Sequence, residues 1–205
     1  MSAQTCIEII AVAHLRYGEL RVFVQSILNQ TAGNWRLQVI HDGPDESFDR
    51  IMAAYQAEAP ERIRYSHTGT RHNDYGHSLR EIGLARAEGD YVLITNADNY
   101  YIPRFVEYCT KAVSDTGADI IMYDMVHSHE NPGQRTLPAY SYFQTQYSIN
   151  NIDMGAAIVR RTIAQQAGFA DKSYAADAVY FEKVALVKRE KTTLCKINRV
   201  MLVHN

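Results

Sequence analysis

Four short stretches of this 205-residue chain carry groups suited to handling charge: Ala13-His14, Asp42-Gly43, Asn96-Ala97-Asp98-Asn99 and the closing His204-Asn205. Each follows a run of apolar residues and offers a short carboxylate, carboxamide or imidazole. A hard divalent cation bridging a diphosphate needs such ligands, usually few, because phosphate oxygens supply the rest. Blander readings stand beside these. Asp42 lies in an Asp-Gly-Pro-Asp turn, Asp98 is placed to cap a helix before Pro103, and a lone His204 is as readily a satisfied polar residue as a ligand. Further along, Asp177 opens a helical pattern carrying Val179, Tyr180, Val184 and Val187. A carboxylate there is favoured by the helix dipole and can cap free amides. Asp171, near the preceding turn, and Glu182, deeper in the helix, are worse placed to reach a substrate. His127 and His129 form an H-x-H pair that, with no third ligand type nearby, reads as solvated rather than as zinc-binding. Tyr140, Tyr142, Phe143 and Tyr147 offer rigid faces for stacking on rings.

These strand-end groups need a sheet to hold them, and the chain alternates strand and helix patterns accordingly. Apolar runs mark strands at 6–13, 37–40, 62–66, 91–95 and 118–126. Between them lie amphipathic helices: 18–29, one capped by Ser47 and closed by Pro60, 76–88 with Gly89 in the C′ position, and one behind Pro103 ended by Gly117. The rhythm breaks over 127–151, a polar, aromatic stretch expected to be a functional loop or lid. A strand at 155–159, a short helix at 162–167, a helix at 177–188 and a strand or hairpin at 193–203 complete the pattern. In open α/β sheets ligands bind beyond the carboxyl ends of the strands, where the four charged stretches fall.

Bulk properties narrow the functional classes. With 46% hydrophobic residues, 21 basic and 23 acidic side chains and a formal net charge of −2, the chain can build one core and lacks the basic field of a nucleic-acid binder. No apolar run is long enough for a membrane-spanning helix, and the N-terminus lacks a secretory pattern. Cys6, Cys109 and Cys195 fit no zinc or disulfide spacing and read as reduced thiols, which suggests the cytoplasm, with peripheral attachment at the inner face of a membrane left open. Neither G-x-G-x-x-G after the first strand nor G-x-x-x-x-G-K-[ST] occurs, against dehydrogenase and P-loop readings. A Gly-rich, Lys/Arg-bearing N-terminal loop is also missing, so phosphates must be held by a metal instead of a glycine nest.

The sequence resembles the family 2 glycosyltransferases, whose fold is of the GT-A type. The resemblance rests on Ser26 to Thr31, Trp35, Val39 to Gly43, Asp74-Tyr75-Gly76, Arg80, Ala87 to Val92, and Asn96 to Asn99 at the place of the family's Asp-x-Asp motif. It implies a single α/β domain over 1–205, with a mixed, mostly parallel sheet flanked by helices. Residues 1–100 would bind a nucleotide sugar and 101–205, with the 127–151 loop, the acceptor. By position, Asp42 would contact the nucleobase, Asp98 a divalent metal on the diphosphate, and Asp177 would be the catalytic base. Ala13, His14, Gly76, Arg80, Asn96 and Ala97 would line the nucleotide-sugar site, with His204 as a second metal ligand. The implied cofactor is Mn²⁺ or Mg²⁺. The implied partners are a donor, UDP-type favoured, and a glycan, lipid-linked or protein acceptor in polysaccharide biosynthesis; homo-oligomers stay open. There are departures from the pattern: Asn96 for the motif's first Asp, Asn99 for a common following Asp, and Glu81 where Asn is usual. The first two motivate an alternative, a sugar-nucleotide-binding domain without turnover. A sugar nucleotidyltransferase is the other rival.

Overall fold

The computed structural model describes residues 4–173, 176–189 and 191–205, apart from the Gln134 side chain. The strands are β1 (Ile7–Ala13), β2 (Trp35–His41), β3 (Ile63–His67), β4 (Tyr91–Asn96), β5 (Tyr100–Tyr101), β6 (Ile120–His127), β7 (Tyr142–Phe143), β8 (Ala157–Arg160) and β9 (Leu194–His204). The helices are α1 (Tyr17–Leu28), α2 (Glu46–Glu58), α3 (His77–Arg86), α4 (Phe105–Thr116), α5 (Arg161–Ala167) and α6 (Ala176–Leu186). All the described strands join one sheet in the order β3-β2-β1-β4-β8-β6-β9-β5, with β7 pairing β6. The β3-β2-β1-β4 and β6-β9 pairings are parallel, whereas β8 runs antiparallel to both neighbours, so the expected mixed, mostly parallel α/β domain is what forms.

The parallel strands are near-continuous apolar runs because both faces are covered. Along β1, Ile7, Ile9 and Ala11 join the core under α1, α2 and α4 with Phe23, Phe48 and Phe105. Ile10 points into the opposite core with Leu84, Ile163 and Phe181 of α3, α5 and α6. This period-2 split is the physical basis of the three-layer architecture. Burying each large apolar side chain contributes roughly 1.5–3 kcal/mol.

Several local expectations change. Helix α2 is capped by Asp45, not Ser47: Asp45 is extended, with φ −155°, and its carboxylate accepts the Phe48 amide at 2.8 Å. Helix α3 ends at Arg86, so Gly89 is not its C′ residue. Gly89 instead allows close approach to β1, since a Cβ there would lie 2.9 Å from the Glu8 backbone nitrogen. Gly76 precedes α3 as its N-cap. Its φ of +81°, and a Val12 methyl 2.9 Å from where a Cβ would be, both demand glycine. Gly155 lies in a 3₁₀ turn before β8 and not within the strand.

The 127–151 segment is less irregular than its composition suggests. Strand β7 pairs with Met125 and Val126, the Thr145 amide donates to Asp124, and the Tyr147 hydroxyl donates to the Phe181 carbonyl. Phe143 is buried and Tyr142 donates to Asp124. These aromatics are thus packed or bonded, while Tyr140 is exposed.

Candidate active site

Register brings the strand ends together. Ala13 pairs with His41 and Val12 with Asn96. The ladders continue one step beyond, with the Asp42 amide bonding Ala13 O at 3.0 Å and the Ala97 amide bonding Val12 O at 2.9 Å. His14, Asp42 and Asp98 therefore leave the sheet on one edge, lining a cleft of about 360 Å³ with Ala13, Gly76, Asn96 and Ala97. Asp177 and His204 lie outside that cleft's lining, close enough to Arg80 and Asp98 to feel their charge.

The last strand closes the site from the far end of the chain. Strand β5 pairs antiparallel with β9, matching Tyr100 to Val203. The Asn205 amide donates to Asn99 Oδ1 at 3.2 Å, and the Asn205 side chain also bonds the Asp98 carbonyl. Asn99 is buried and donates to Thr95 Oγ1, so it serves as a structural tie at the position of a common acid. His204 Nε2 lies 3.3 Å from Asp153 Oδ2, and its Nδ1 is buried without a hydrogen-bond partner. Burial lowers the imidazole's proton affinity, but Asp153 outweighs this and holds its pKa above the ordinary value. Burial likewise pushes the Asp153 carboxyl up, and His204 with the Gly155 amide brings it below the usual range.

Asp98 meets Arg16, Nη1 to Oδ2 at 2.6 Å, while its Oδ1 is buried and unpartnered. Arg80 is only 4% exposed. It donates to the Tyr75 carbonyl at 2.8 Å and to Asn96 Oδ1 at 2.7 Å. Burial lowers its pKa, and the carboxylates of Asp177, Asp153 and Asp74 partly restore it. Asp42 ties the β2–α2 loop to the β3–α3 loop, accepting the amides of His72 and Asn73 at 2.7 and 3.0 Å. Each oxygen keeps acceptor capacity for a further donor. Asp177, in the first turn of α6, has a buried, unpartnered Oδ1. Desolvation raises its pKa above the ordinary carboxylate value, against the pull of Arg80. The preceding Tyr174 and Ala175 lie outside the described residues.

One local reading is overturned. His127 is 7% exposed and not solvated. It pairs with His204 across β6 and β9 and packs edge-on against Phe143. Burial, and then the charge of His204, lowers its pKa to about 4.

Asp153, Arg16 and Arg71 escaped the sequence reading. An acid between apolar Ile152 and Met154 was the available signal for Asp153. Arg16 and Arg71 sit in loops with no periodic signature. Among the described residues, no three His, Cys, Asp or Glu side chains converge as a metal cage. Asp98 Oδ1 and His204 Nδ1 nonetheless suit a cation that draws its remaining ligands from phosphate oxygens. Among the described residues no helix is long and apolar enough to cross a membrane.

A family model described as Glycosyl transferase family 2 matches residues 8–169. Among curated proteins, an uncharacterized glycosyltransferase of Rickettsia bellii (strain RML369-C) is 26% identical over 92 residues, which is 45% of this chain and 13% of that protein. Among solved structures, S. aureus TarS 1-349 superposes with a TM-score of 0.79 at 14% identity, covering 98% of this chain and 60% of that one. The same fragment in complex with UDP-GlcNAc gives 0.77 at 15% identity, covering 97% and 58%. The mannosyltransferase PcManGT from Pyrobaculum calidifontis, in complex with GDP-Man and Mn²⁺, gives 0.73 at 11% identity, covering 98% and 57%. At such identities the likeness to the solved structures is one of fold. The chain spans less than two thirds of each of these proteins.

Proposed function

The chain belongs to glycosyl transferase family 2, and on that premise we propose that it moves a sugar from a nucleoside diphosphate sugar to an acceptor hydroxyl in one inverting displacement. The observation that supports this reading is the pair of buried, unpartnered carboxylate oxygens, on Asp98 and Asp177, that two separate elements bring close enough to His204 for both charges to act on it.

The nucleoside end of the donor lies against Asp42 and the wall formed by Ala13 and His14, with Gly76 giving it room. The diphosphate faces Arg16, Asn96, Ala97 and Asp98. Asp98 and His204 would hold Mn²⁺ or Mg²⁺, a reading that the Mn²⁺ complex of PcManGT supports. Bound there, the cation supplies a Lewis acid for the leaving diphosphate. Asp153 fixes the His204 ring through Nε2, so that Nδ1 presents its lone pair. Arg80 positions Asn96 at the end of β4 and keeps positive charge beneath the leaving group. Asp177 accepts the acceptor hydroxyl's proton as the new oxygen–carbon bond forms. The bond from the anomeric carbon to the phosphate oxygen breaks on the opposite face, its electron pair leaving with the nucleoside diphosphate. Raised proton affinity suits Asp177 to this task, because a base works best with a pKa nearer the operating pH.

UDP sugars are the first donors to test, since TarS is seen with UDP and UDP-GlcNAc, with GDP-mannose next. Residues 101–205, including 127–151, bind the acceptor, a glycan, lipid-linked or protein hydroxyl, in polysaccharide assembly at the cytoplasmic side. The test is a thermal-shift panel of UDP and GDP sugars with and without Mn²⁺, followed by release of the nucleoside diphosphate. Saturating donor at 100 Kd should add about 2.7 kcal/mol of stability. No shift with any donor sinks the reading, and binding without release of diphosphate for any acceptor leaves a binding domain.

A further inference from the structure

Arg16 contacts the carboxylate assigned to the cation, and it does so from a loop that puts it between two hollows. Its backbone is left-handed at φ 54°, on the turn from β1 into α1. Its side chain lines the donor cleft and also a second hollow bounded by Glu19, Ser128, His129 and Asn205. The Arg16 side chain is 56% exposed, whereas its partner Asp98 is 18% exposed. One guanidinium nitrogen meets one carboxylate oxygen at 2.6 Å, and no second Arg16–Asp98 contact completes a fork.

That is a weak use of a guanidinium. Its planar array of donors matches two oxygens at once, and a diphosphate offers several, with more charge than a single carboxylate. An exposed ion pair contributes little and is easily given up. The other arginines are placed differently. Arg80 is buried and fixed by Tyr75 and Asn96. Arg71 faces Asp42 at 3.9 Å on the nucleoside side. Arg16 is the one of these three that both touches Asp98 and has solvent to move through.

We propose that Arg16 is a donor-phosphate-binding residue that covers the Asp98 cation site in the free protein and leaves it for the diphosphate. This rests on the nucleotide-sugar reading above. Because linkage is reciprocal, a residue that excludes the cation from the empty site and binds the diphosphate in the filled one makes the two ligands favour each other. The substitution Asn96 in place of an acid fits the same economy of charge: with one carboxylate at the motif, one guanidinium neutralises it.

The test uses two probes on the intact chain, Mn²⁺ alone followed by electron paramagnetic resonance, and UDP alone in chelator followed by calorimetry. Arg16→Gln should bind Mn²⁺ at least about threefold more tightly than wild type, since an exposed pair no longer competes. The same variant should bind UDP about tenfold more weakly, having lost a charged hydrogen bond. Opposite movement of the two affinities is the signature, because a damaged fold would weaken both. Arg16→Lys keeps the charge, so it should exclude Mn²⁺ as wild type does while recovering UDP binding only in part. Mn²⁺ binding no tighter in Arg16→Gln, or UDP binding unchanged, overturns the proposal. If wild type binds neither UDP nor GDP under any cation condition, the transferase reading falls and the proposal with it.

Discussion

Acidic side chains at the two edges of the sheet live in opposite circumstances. At the edge away from the cleft, Glu8 is 2% exposed and its oxygens accept from Gln38 and from the amides of Glu88 and Gly89. Asp119, also 2% exposed, takes Lys188 on both oxygens, Arg160 on one, and Thr193 through amide and hydroxyl. Those bonds overcome the cost of burial and hold its pKa down to about 2. Asp98, which lines the cleft, and Asp177, which lies beyond its lining within reach of the Arg80 charge, each keep a bare buried oxygen. A buried acceptor without a protein partner is costly and calls for an explanation, an ordered water, an ion or a ligand. On the transferase reading proposed above, the contrast is between acids whose oxygens the fold satisfies and two whose bare oxygens a ligand would complete.

The largest expected effect tests the cleft edge. Asp177→Asn keeps size and hydrogen bonding but loses the base, so turnover should fall on the order of 10²–10⁴-fold with UDP affinity retained. Its stability should not fall. The folded Asp177 carboxyl has its pKa raised above 3.8. Its ionisation is therefore a burden absent below that value and fully present once pH exceeds the raised one, and Asn removes it. Denaturant melts at pH 7 beside a UDP-release assay check both halves. Loss of UDP affinity together with turnover would make Asp177 a structural cap, like the acids of the other edge, and retained turnover would move the base elsewhere.

The far edge should respond the other way round. Asp119→Asn should cost about 2 kcal/mol of stability and leave UDP affinity alone. Asp119 is depressed from 3.8 to about 2. Its contribution is thus fully present above 3.8 and is lost as pH falls through 2, so wild type and variant should converge in acid melts. A smaller effect, about 1 kcal/mol, is expected for Glu8→Gln, which turns a carboxamide nitrogen toward donors that need an acceptor. Weakened nucleotide binding in either variant would blur the distinction between the two edges.

Much of this was legible along the chain. The apolar runs of β1 and β4, the helical spacing of α1 and α4, and Asp98 at a strand end follow from short-range periodicity and from the rule that parallel strands deliver their carboxyl ends to one edge. Glu8 was a weaker signal, one charge inside a buried run. Ser47 was misread as a cap because two oxygen-bearing side chains lie within three residues, and only backbone geometry chooses between them. His127 was misread as solvated because its burial comes from β9 and Phe143, both remote in sequence.

The sequence by itself determined the order of elements, the apolar faces and the residues that stand at each strand end, since these depend on neighbours within a turn or a few residues. Tertiary structure alone decided which charges meet. Pairing of β5 with β9 brought Asn205 to Asn99, 106 residues apart. The 3₁₀ turn before β8 set Asp153 against His204, and the β1–α1 loop laid Arg16 on Asp98. Whether a buried oxygen is satisfied or left bare is a count of partners supplied by distant segments, and no local pattern encodes that count.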